Sequence, residues 1–69
     1  MIITISSSQE TGVSVYTFAK QEPKWQEVAR LEPGKPKTLA VDTGEPALIV
    51  KWREVAEGYQ VDQIKVART

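Results

Sequence analysis

The segment Ala47 to Val55, ALIVKWREV, alternates with a period of two: Leu48, Val50 and Trp52 face one way, Ile49, Lys51 and Arg53 the other. Only an extended strand puts every second side chain on one face. The same period recurs along the chain. In Ile2 to Ser7, Ile3 and Ile5 oppose Thr4 and Ser6; in Val13 to Ala19, Val13, Val15, Thr17 and Ala19 oppose Ser14, Tyr16 and Phe18. Thr38 to Asp42 places Leu39 and Val41 on one face. Stretches of turn composition (SQETG, QEPK, TGEP and AEG) separate these runs, giving strands about every ten residues. Tyr59 to Ala67 changes parity within itself: Tyr59 and Val61 are odd, Ile64 and Val66 even. A one-residue slip of this kind requires a bulge or a break near Asp62-Gln63. Trp25 to Leu31, WQEVARL, admits two readings. Its apolar residues suit a short helix over 24–31, or a strand with Trp25, Ala29 and Leu31 on one face and Val28 on the other. The expectation is an all-β chain, a small antiparallel sandwich or barrel of five to six short strands forming one domain over residues 1–69.

A chain of 69 residues buries little core, about 3–5 kcal/mol of net stability, and small folds often add a staple. Cysteine and histidine are both absent, which removes disulfides and the usual zinc ligands. Packing and association with another chain remain. The same absences weigh against catalysis. The commonest general base is missing, and Ser-His and Cys-His pairs cannot form. Carboxylates near turns, such as Asp42 with Glu45 and Glu54 with Glu57, read as solvated charge. The run LEPGKPKT resembles the end of a phosphate-binding loop only in Gly34-Lys35. Ala29 stands where the first glycine is needed, Pro36 where Ser or Thr is needed, and a β run follows instead of a helix. Pro33-Gly34 suits a type II turn with Gly34 at positive φ. No catalytic, cofactor-binding or metal-ligating residues are therefore assigned.

Nine basic and nine acidic residues cancel and are interspersed, so no basic stripe marks a nucleic-acid surface. A nucleic-acid-binding small β-barrel is kept as a lesser alternative. Lys51-Trp52-Arg53 is its nearest feature, but alternation sends both cations away from the tryptophan, which reads as core beside Leu48 and Val50. No apolar run approaches the ~20 residues of a membrane helix, and MIITISSSQE has no leader pattern. An intracellular location is expected. Two features point to protein contact. Tyr16 and Phe18 lie on a strand whose other face is already apolar, so they are either partner-facing or covered by a second layer. Ile2 to Ser7, with Ile3 and Ile5, has neither charge nor proline to blunt it as a sheet edge, and so suits pairing with another chain.

The succession Trp25, Val28, Leu31, Pro33-Gly34, then Thr38, Ala40, Val41, then Leu48 and Val50 resembles small all-β accessory proteins of tailed bacteriophages and prophages. The resemblance implies a non-catalytic module that binds protein, as a virion or assembly component or as a small inhibitor of a host protein. Self-association or a protein partner is expected.

Overall fold

The computed structural model describes residues 1–68. It contains six strands: β1 (Ile2–Ser6), β2 (Gly12–Ala19), β3 (Lys24–Leu31), β4 (Thr38–Asp42), β5 (Ala47–Val55) and β6 (Gly58–Ala67). All pair antiparallel, in a four-stranded sheet of order β3-β2-β5-β6 and a two-stranded ribbon of β1 and β4. The two layers form an open sandwich, not a closed barrel. Among the described residues no helix is long and apolar enough to cross a membrane.

The core lies between the layers. The ribbon contributes Ile3 and Ile5, the sheet Val13, Val15, Leu31 and Ala47, all below one tenth exposed. Met1, Ala29, Leu39, Val41, Ile49 and Ala67 pack around them. Each is the inward member of an alternating pair, which is why the period-two pattern reads so cleanly here.

Two bulges set the register. On β6 the pairing steps from Lys51↔Gln63 to Trp52↔Val61, leaving Asp62 as the extra residue, at the parity slip seen in the sequence. On β3 it steps from Val15↔Ala29 to Tyr16↔Glu27, leaving Val28 unmatched. Of the two readings of 24–31 the strand, which its β neighbours favour, holds, and the second bulge corrects only the face expected of Trp25. The segment is a strand and not a helix, and Trp25 does not share a face with Ala29 and Leu31. One extra residue reverses parity, so Trp25 points outward opposite Phe18 while Ala29 and Leu31 point into the core. The helix-like spacing of Trp25, Val28, Ala29 and Leu31 is the imprint of that bulge.

The polar loops are latched to the sandwich. Ser7 Oγ accepts from the Lys37 N–H at 3.1 Å and donates to the Lys35 carbonyl at 3.1 Å. Ser8 Oγ accepts from the Thr11 N–H, and the Ser8 carbonyl accepts from the Gly34 N–H. Ser6 Oγ meets Thr38 Oγ1 at 2.9 Å. The triple serine thus ties the end of β1 to the 32–37 loop. Gly34 has φ of 92°, as the Pro-Gly turn requires, and strand β4 follows the loop.

Candidate protein-binding face

The outer face of the four-stranded sheet is uncovered. Register places its side chains in rows. Glu27, Tyr16, Leu48 and Val66 form one row, Arg30, Ser14, Val50 and Ile64 the next, then Gly12, Trp52 and Val61, and finally Glu54 and Tyr59. Phe18 and Trp25 close the other end, with ring centroids 5.5 Å apart and planes at 66°. Along β6 this face is bare: Tyr59, Val61, Ile64 and Val66 are each more than half exposed. A solvated sheet face normally alternates to polar residues. This one stays apolar.

One structure is built into the face. Trp52 is 5% exposed although no second layer lies above it. Gly12, directly opposite, supplies no side chain, and the indole lies across the gap. The indole Nε1–H donates to Ser14 Oγ at 3.0 Å. The Tyr59 ring meets the indole edge-on at 5.1 Å, and the Arg30 guanidinium carbon stands 4.6 Å above its centroid. Glu32 accepts from Arg30 Nε at 2.7 Å. The hydrogen bond to Glu32, and after it the charges of Glu32 and Glu27, hold the Arg30 pKa above its ordinary value against the lowering by burial. Tryptophan, tyrosine and arginine around a small-residue depression are the composition of an interface hot spot.

Trp52 is therefore buried beside Leu48 and Val50, as its alternation implies, but on the outer face and not between the layers. Tyr16 and Phe18 lie on that face; Tyr16 is half-buried and Phe18 is 38% exposed. Ile3 and Ile5 do not join them. At 7% and 4% exposure their side chains fill the core, so any contribution of β1 to a partner runs through its backbone edge. Sequence reasoning passed over Arg30, Ser14 and the β6 row. The signal in β6 was present, since apolar residues alternate along it on both sides of the parity slip.

Ser14 is 1% exposed, and its hydroxyl is the acceptor for the indole N–H. Ser14→Ala leaves that donor buried and unpaired. We expect a loss of about 1–3 kcal/mol in urea unfolding. A change within a few tenths of that of an exposed serine variant would show that the bond contributes nothing.

Comparison with protein families, with curated proteins and with solved structures finds no match to this chain.

Proposed function

We propose that this chain is a non-catalytic protein-interaction module that works by self-association through the outer face of its four-stranded sheet, in the role of an assembly component. The observation that carries the reading is the uncovered apolar face with its Arg30–Trp52–Tyr59 centre. A compact monomer of 7.7 kDa exposes about 4,300 Å², whereas this chain exposes 4885 Å². Its radius of gyration is 12.3 Å, against about 11 Å for a compact domain of this length. Both measures describe an elongated, flat body that exposes more surface than a compact monomer of its mass.

A second copy suits that face in size and charge. Four strands at ~4.8 Å spacing make a plan area of about 500 Å², so two copies bury on the order of 1,000 Å² together, the threshold of a specific interface. Arg30, Glu27 and Glu54 leave the face close to neutral, so like faces meet without strong repulsion. Two such sheets packed face to face at ~10 Å would form an isologous contact, the two-fold symmetry commonest among oligomers. The resemblance to phage accessory proteins, which rests on Trp25 to Val50, agrees with an assembly role.

Sedimentation velocity from micromolar to millimolar protein tests the proposal. We expect twice the 7.7 kDa chain mass, insensitive to salt. Ile64→Lys should yield a folded monomer, because Ile64 is 61% exposed within the single chain, and it should melt below the wild-type dimer at a temperature independent of protein concentration. A wild type that stays monomeric at millimolar concentration overturns self-association.

A further inference from the structure

The two layers do not match in width, and the mismatch leaves a second site. The ribbon has two strands and the sheet four, so the inner face of β6 is exposed as well as its outer face. Beside β1 lies a trough of about 270 Å³, walled by Thr4 and Ser6 and floored by Ile49, Lys51, Gln63 and Lys65.

The open edge of β1 is in register with this trough. The Thr43 N–H donates to the Met1 carbonyl and the Ser7 N–H to the Lys37 carbonyl, each at 2.9 Å. Antiparallel pairing alternates, so the odd residues of β1 bond to β4. The N–H and C=O groups of Ile2, Thr4 and Ser6 consequently point away from β4 with no strand opposite them, those of Thr4 and Ser6 beside the trough. No charged side chain or proline guards that edge. The floor below is cationic: among the described residues neither Lys51 nor Lys65 forms an ion pair, unlike Lys20, Lys24, Arg30 and Arg53.

We propose that this trough receives an extended acidic segment of a partner protein, which adds to β1 as a third ribbon strand and turns its carboxylates down onto Lys51 and Lys65. Backbone pairing supplies affinity, and the two lysines select sequence. The segment would cover the part of the sheet that β1 and β4 leave bare. The site is separate from the outer face, so the test is run on the Ile64→Lys chain as well as on the wild type.

The probe is a capped decapeptide alternating threonine and glutamate, which in extended form presents carboxylates on one face. Titration is followed by amide NMR. We expect saturable shifts at Ile2, Thr4 and Ser6 and at Lys51 and Lys65, with binding at least roughly tenfold weaker for the threonine–lysine peptide. Lys51→Gln with Lys65→Gln should weaken the acidic peptide by about tenfold. Thr4→Pro removes one edge donor without touching the bonds to β4, a position where an edge strand tolerates proline. It should keep the fold and abolish the β1 shifts. Equal binding of both peptides overturns the charge assignment. Retention of the β1 shifts in Thr4→Pro overturns strand addition. A decamer of oligodeoxythymidine that moves the lysine amides while neither peptide moves β1 makes the floor an anion site for nucleic acid, and also overturns the proposal.

Discussion

Trp52→Ala should leave the chain largely unfolded at 37 °C. Truncating a buried tryptophan costs about 3–5 kcal/mol. A core of this size supplies about the same total. The loss is concentrated because several contacts depend on one ring. Ser14 loses its donor, Tyr59 its edge contact, Arg30 its aromatic floor, and Gly12 is left facing an empty space. Far-ultraviolet circular dichroism against temperature measures it directly. If Trp52→Ala melts cooperatively within about 5 °C of wild type, the outer-face cluster contributes little to folding and its importance has been misjudged.

Gly12→Ala should be the next most damaging change, and for a steric reason only. Gly12 has no positive φ, so alanine suits its backbone conformation. A Cβ there would lie 2.7 Å from Trp52 Cζ2 and 2.8 Å from the Leu31 carbonyl oxygen. The ring can tilt, but the carbonyl belongs to a paired strand and cannot withdraw without moving β3. We expect a loss of about 3 kcal/mol, the upper end of the usual overpacking range. A double-mutant cycle with Trp52→Phe separates the two obstacles. The smaller ring should recover part of the loss and leave the carbonyl part in place. Full recovery would place the whole clash on the indole.

Much of this fold is legible in the sequence because one physical rule governs it. Thr38–Asp42 and Ala47–Val55 can be bounded from alternation alone, since a strand packed on one side must repeat every second residue. The Asp62 bulge is legible for the same reason: apolar residues lie on both sides of it, so the slip in parity is visible. The Val28 bulge is hidden. Trp25, Val28, Ala29 and Leu31 are all apolar, and an extra apolar residue among them imitates the start of a helix. The candidate face is legible in part. Tyr16 and Phe18 announce that the second face of β2 needs cover. Arg30 does not announce itself, because its place over Trp52 follows from pairing with Ser14 across a bulge that alternation does not reveal. Ile3 and Ile5 mislead in the opposite direction. Ile2 to Ser7 looks like a strand whose side chains are free for a partner, but Ile3 and Ile5 hold the ribbon to the sheet and only the backbone edge is left open.

The ribbon also fixes an order of events in time. β5 reaches β6 through a turn closed by Val55 and Gly58, whereas Ser6 meets Thr38 across 32 residues. Closing the longer loop costs roughly 2 kcal/mol more than closing a hairpin; β2 and β5 close one as long, from Thr17↔Ala47 to Gly12↔Trp52, but they do so between two preformed hairpins, and their pairing brings the ends of β1 and β4 together. The hairpins therefore form first and the ribbon docks last, as a lid on a finished floor. It should also leave first. In a pulse-labelling experiment the amides of Ile3 and Ile5 should gain protection after those of Val13 and Val15, and lose it sooner under mild denaturant. Simultaneous protection of all four would mean that the two layers assemble in one step.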